Sequence, residues 1–112
     1  MQRDTLFVIG APFEDQGEPW FCTACATVEG MLLANPHWVE LIDVHRVAYP
    51  RPRSEVIALI GEENQSLPAL VIAAGAPIPP EAKRHGERAF LDEPKAIARY
   101  LAATYGGAGP HP

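Results

Sequence analysis

The chain has 112 residues, enough for one two-layer domain and too few for two. Hydrophobic residues make up 47% of it, and 9 basic against 14 acidic residues leave a formal charge of -5 without a basic run, so nucleic acid and membrane surfaces are excluded as expected partners. The apolar run Leu6 to Ile9 is too short for a secretion signal or a bilayer span, so the protein is expected in the cytoplasm, where disulfides are rarely structural.

Thr5 to Ile9, "TLFVI", is a continuous β-branched and aromatic run that predicts a strand buried on both faces. From Cys22 to Ala34 the side chains Cys25, Val28, Met31 and Leu32 recur at helical spacing until Asn35 and Pro36 end the pattern. Leu41, Ile42, Val44 and Val47 predict a second strand, closed by Pro50 and Pro52. Ser54 to Ile60 reads as a short helix, with Gly61 where a left-handed residue commonly ends one. A strand is expected at Ala69 to Ala73 and a weaker one at Ala89 to Leu91. The last helix opens on acids and Pro94, buries Ile97, Tyr100, Leu101 and Tyr105, and stops at Gly106 and Gly107.

The order β-α-β-α-β-β-α predicts one α/β domain over 1–112, with a folded core at 5–105, a flexible tail at 106–112 and a four-stranded mixed sheet flanked by helices. The first two strands should pair in parallel across their helix, and the closing two can form an antiparallel hairpin. Two connections are long, Gly10 to Phe21 and Ala74 to Arg88, and long loops in a small domain are either functional or ordinary surface insertions.

The chemistry concentrates in "EPWFCTACATVEG". A cysteine at the first turn of a helix meets unpaired backbone N–H groups and the positive end of the helix dipole, which favour thiolate over thiol at Cys22. Cys25, one turn on, lies within the separation of roughly 4.4 to 6.8 Å between Cα atoms that a disulfide tolerates. The pair can therefore be a redox centre, two packed thiols or half of a metal site. The metal reading needs two more ligands, and His37, His45, His85 and His111 are scattered without HxxxH spacing, so no metal is expected. No lysine or arginine stands beside the pair in sequence, whereas Glu14, Asp15 and Glu18 precede it and oppose the helix-end effect.

The first strand, the CxxC opening the first helix and Pro68 before the third strand arrive together. With them the chain resembles the thioredoxin superfamily over residues 5–105, closest in size and element order to glutaredoxins and to the N-terminal domain of glutathione transferases. It is also similar to an uncharacterised bacterial family of thioredoxin-like proteins. The resemblance implies that Cys22 attacks and Cys25 resolves in thiol-disulfide exchange, and that Pro68 is a cis-proline within reach of Cys22. It implies further that the Leu67 backbone pairs with a bound thiol peptide, and that Asp92 and Glu93, in "FLDEPKAIARYL", face the γ-glutamyl end of glutathione. Helix capping is the plainer role for those two acids. The chain departs from the family in having Thr23 and Ala24 between the cysteines and Pro94 where the transferases commonly place a serine. The expected function is thiol-disulfide oxidoreduction without a resident cofactor, glutathione being a candidate co-substrate and a protein or glutathione-like thiol or disulfide the partner. The alternative is a non-enzymatic thioredoxin-like binding module.

Overall fold

The computed structural model describes residues 3–112. Its elements run β1 (Thr5–Ile9), β2 (Phe13–Asp15), β3 (Glu18–Trp20), α1 (Thr23–Ala34), α2 (Trp38–Leu41), β4 (Asp43–Val47), α3 (Ser54–Ile60), β5 (Ala69–Val71), β6 (Lys83–His85), β7 (Arg88–Leu91) and α4 (Pro94–Tyr105). Among the described residues no helix is long and apolar enough to cross a membrane.

The main sheet is mixed and has the order β4-β1-β5-β7-β6. The β1 strand pairs in parallel with β4, Thr5 opposite Asp43 and Ile9 opposite Val47, and antiparallel with β5, Leu6 opposite Leu70. β7 continues the sheet antiparallel to β5.

The sheet thus has five strands where the sequence predicts four. The added strand, β6, comes out of the long Ala74 to Arg88 connection. Its residues Lys83, Arg84 and His85 carry no apolar alternation, so periodicity cannot reveal it. It sits at the sheet edge, where charged side chains guard against further pairing. Its register with β7, His85 opposite Arg88, leaves Gly86 and Glu87 as a two-residue turn.

The other long connection is also ordered. Phe13 to Trp20 forms the separate hairpin β2-β3, whose turn residues Gln16 (φ 55°) and Gly17 (φ 79°) both lie in the left-handed region that a two-residue hairpin loop requires. The predicted second strand is shorter than expected, because Leu41 belongs to the one-turn helix α2 and the strand begins at Asp43. That turn forms because Trp38 is fully buried and its indole Nε1 donates to the Gly106 carbonyl at 2.8 Å.

Side chains alternate along the strands and divide the core between the two faces. Leu6, Val8, Leu70, Ile72, Ala89 and Leu91 meet Cys25, Val28 and Leu32 of α1 and Ile97 and Leu101 of α4. On the opposite face, Phe7, Ala69, Val71 and Phe90 meet Val56 and Ile60 of α3. Each fully buried Leu, Ile, Val or Phe contributes about 1.5–3 kcal/mol, and these two layers hold the sheet rigid beneath the helix starts.

One buried carboxylate locks the chain ends together. Asp4 Oδ2 accepts from the hydroxyls of Tyr100 and Tyr105, both at 2.7 Å, and Oδ1 accepts from Ala73 N at 2.7 Å. Burial, first, and the bond to Asp4, second, raise both phenols above their usual value. Residues 106–112 carry no helix or strand, and Ala108 exchanges two hydrogen bonds with the Asn35 side chain.

Candidate functional site

The β1 strand ends at Ile9, and α1 begins with its cap, Cys22, against that end. Cys22 is extended (φ -77°, ψ 117°), partly exposed, and its Sγ accepts from Cys25 N at 3.2 Å. Its backbone carbonyl accepts from Ala26 N at 2.9 Å, the first bond of the helix. Cys22 therefore caps the helix through its sulfur, a place ordinarily taken by a hydroxyl or carboxylate oxygen.

Cys25 lies one turn deeper and is 2% exposed, packed with Val8, Val28 and Leu91. Burial, then hydrogen bonding to Cys22, pushes its thiol up to about 12, although the Ile9 amide, at 3.4 Å from Sγ, and the charge of Arg53 act in the other direction. The geometry separates the pair into an accessible sulfur and a protonated, buried one.

Leu67 completes the immediate surroundings. Its carbonyl oxygen lies 3.9 Å from Cys22 Sγ, the longest reach of a bond to sulfur, and the following Pro68 is buried on a cis peptide bond. The structure thus brings Cys22, Cys25, Leu67 and Pro68 together, although they come from separate parts of the chain.

Asp92 and Glu93 stand between β7, which like β1 runs antiparallel to β5, and α4, which packs on the same face of the sheet as α1. Glu93 occupies the cap position of α4 and its carbonyl accepts from Ile97 N, but its side chain makes no capping bond. The Asp92 Oδ2 accepts from Lys83 Nζ at 2.8 Å, and the residue lines a cavity of about 230 Å³ with Asn64, Ser66 and Phe90, the last of which belongs to the α3 face. No hydrogen bond or ion pair joins either acid to the cysteines. Lys83, unremarked in the sequence, takes up the carboxylate that the resemblance assigns to a ligand.

The hairpin β2-β3 stands beside the thiols. Trp20 and Phe21, the two residues before Cys22, are 48% and 61% exposed, and the base of the hairpin is fixed by Phe13 stacking on Tyr49, ring centres 4.2 Å apart and planes 4° from parallel. A cavity of about 550 Å³ opens between Gly10 to Glu14 and Arg46 to Pro50, at the carboxyl ends of β1 and β4.

The residue that sequence reasoning missed is Arg53. It is far from the CxxC in sequence, yet its charge acts on Cys25 against the effect of burial. Only the packing of α3 against the sheet brings it there, so the expectation that no cation attends the pair is corrected. Among the described residues, no group of three or more His, Cys, Asp or Glu side chains comes together.

The fold and the site define an α/β protein with a dithiol at the amino end of its first helix, one sulfur accessible and one enclosed. The chain belongs to DUF3088, a family described as a protein of unknown function, which matches residues 3–109. No curated protein and no solved structure matches it.

Proposed function

We propose that the protein is a thioredoxin-like thiol-disulfide oxidoreductase that works through Cys22 and Cys25 in the cytoplasm. The observation that carries this reading is the asymmetry of the pair: Cys22 Sγ sits at a helix start, accepts a backbone N–H and faces the Leu67 carbonyl, while Cys25 is enclosed beneath it. The thioredoxin-like assignment is supported by the mixed sheet, in which the β1-α1-β4 crossover gives parallel strands and β5 and β7 add antiparallel ones. The Leu67 carbonyl at 3.9 Å from Cys22 Sγ, immediately before Pro68, supports it as well.

In the exchange, the Cys22 thiolate, its proton already given to solvent, attacks one sulfur of a substrate disulfide. A mixed disulfide forms and one substrate thiolate leaves. Cys25 then gives up its proton, the departing thiolate taking it, and attacks Cys22 Sγ. The Cys22-Cys25 disulfide forms and the second substrate sulfur leaves, protonated by solvent. The substrate disulfide has gained two electrons and two protons, and the protein pair has lost them. A thiol reductant, either a protein dithiol or a glutathione-like small thiol, returns the pair to its starting state by the reverse steps. The high value of Cys25 suits it to this order, since it stays protonated until the mixed disulfide brings an acceptor.

The test is equilibration in dithiothreitol buffers of stepped potential, acid quenching, alkylation and mass measurement. A single two-electron transition between doubly alkylated and unalkylated protein supports the reading. Protein that remains doubly alkylated in the oxidising buffers overturns it and leaves a thioredoxin-like binding module in its place.

A further inference from the structure

Arg53 immediately precedes α3 and is only 7% exposed. Its guanidinium is held by carbonyl oxygens: Nη1 donates to Gln65 O at 2.7 Å, while Nε and Nη2 donate to Tyr49 O at 3.1 and 2.5 Å. Its backbone N–H donates to Gln65 Oε1 at 2.7 Å, so Arg53 grips Gln65 at both the side chain and the main chain. Its carbon Cζ also lies 5.7 Å from the centre of the Tyr49 ring.

No carboxylate forms an ion pair with Arg53 among the described residues. Glu55, which lines the same small cavity of about 110 Å³, is paired with His45 at 3.2 Å. Removing a guanidinium from water is costly, and buried charges are ordinarily neutralised by a countercharge. The charged or titratable groups that act on Arg53 are its neighbour Arg51, which opposes its charge, and Tyr49, Cys25 and Cys22, which favour it.

The grip on Gln65 also has a direction. Two residues further along, Leu67 presents its carbonyl to Cys22 Sγ. A short strap, Gln65 to Leu67, thus runs from the guanidinium at one end to the sulfur at the other. Gln65 is itself buried, and its Nε2 donates to Glu62 O at 2.9 Å, so the strap is anchored on both sides of Arg53.

We infer that Arg53 is a positioning residue for the dithiol: it fixes the Gln65 to Leu67 strap against Cys22, and its buried cation, which no carboxylate among the described residues pairs with, assists Cys22 in attack. The inference rests on Cys22 acting as a nucleophile, and its test is independent of whether the pair completes a redox cycle.

The experiment measures the iodoacetamide rate at Cys22 against pH in a Cys25→Ser background, with Arg53, Arg53→Lys and Arg53→Gln. Arg53→Gln ends about where Nε stands, so it can still donate to the Tyr49 carbonyl, but it carries no charge. It should lower the rate at pH 7 by about five-fold or more and move the profile to higher pH, with the plateau at alkaline pH unchanged. The Lys variant should keep most of the rate. Superimposable profiles for all three overturn the inference, as does a Lys variant as slow as the Gln variant. Should Arg53→Gln lack a cooperative thermal transition, Ala48→Glu decides instead. Ala48 is exposed and lines the same cavity as Arg53, so a carboxylate there neutralises the cation without breaking its bonds. It should slow Cys22 alkylation at pH 7 about two-fold or more while Ala48→Gln does not; equal rates for the two overturn the inference. Failure of the dithiothreitol titration would remove the oxidoreductase reading and leave these rate profiles to be judged on their own.

Discussion

The two sulfurs should differ in reactivity by orders of magnitude, and the structure sets the scale. Burial and the bond to Cys22 raise the Cys25 thiol from 9.0 to about 12. Three units correspond to about a thousand-fold less thiolate at neutral pH than an ordinary cysteine holds, and alkylation proceeds through the thiolate. Enclosure adds to this, since Cys25 is 2% exposed and packed under Val8 and Val28, whereas Cys22 is open to solvent in part. The perturbation is to remove each partner in turn, Cys22→Ser and Cys25→Ser, and to follow iodoacetamide labelling of the remaining thiol by intact mass at pH 7.5 without denaturant. Cys22 should label at least about a hundred-fold faster than Cys25, the smaller figure allowing for the loss of the Cys22 contribution in the Cys22→Ser protein. In urea the two should converge, because unfolding removes both the burial and the bond. Native rates within ten-fold of each other, or faster labelling of Cys25, would refute the division into attacking and resolving sulfurs.

Three further outcomes are expected. Replacing Asp4 by Ala leaves the buried Tyr100 hydroxyl, the half-buried Tyr105 hydroxyl and the Ala73 amide without their acceptor, so Asp4→Ala should cost about 3 kcal/mol or more in urea unfolding, and Asp4→Asn less; a loss under 1 kcal/mol would contradict the lock. The folded values of Cys25, Tyr100 and Tyr105 are all raised, so the folded state holds protons that the unfolded chain releases. Their contribution is complete below about pH 9 and is lost as pH rises beyond it, and Tyr100→Phe should flatten the alkaline fall in unfolding free energy, measured by urea titration, by up to about 1.4 kcal/mol per pH unit. Gly61 has φ 88°, and a Cβ there would press on the His85 ring, so Gly61→Ala should lower the thermal midpoint by several degrees, whereas an unchanged midpoint would mean that β6 shifts freely to make room.

How much of this was legible in the sequence depends on whether a segment buries apolar side chains. Thr5 to Ile9 and Ser54 to Ile60 were readable to the residue, because each presents an uninterrupted apolar pattern to one or both core layers. The β6 strand was not, since Lys83, Arg84 and His85 owe their conformation to the main-chain bonds of β7 and to nothing in their own side chains. The β2-β3 hairpin lies between these cases. Its Gly17 and flanking aromatics signal a turn, but Glu14, Asp15 and Pro19 obscure any alternation, and the stacking of Phe13 on Tyr49 that seats the hairpin joins residues 36 positions apart. The expected strand at Leu41 failed for a related reason: Leu41 is apolar but 43% exposed, and the helical turn is set by burial of Trp38 rather than by Leu41 itself.

The site divides along the same physical line. Cys22 and Cys25 are local in sequence, and helix geometry alone places one at the cap and the other a turn below it. Arg53 is not local, and neighbouring charges in the chain mislead about it: the acids of "FEDQGEPW" stand next to Cys22 in sequence, while the buried cation that acts on Cys25 arrives from beyond β4. Screening decides which matters more. Glu14 and Glu18 are exposed, and their effect on a sulfur is attenuated by water and salt. Arg53 is enclosed, its field passes through protein rather than solvent, and its bonds to Tyr49 and Gln65 hold it in one orientation. A distant residue in a dry position is therefore expected to outweigh nearer residues in a wet one, which is what the Arg53→Gln rate profiles test, and no motif around the cysteines contains it.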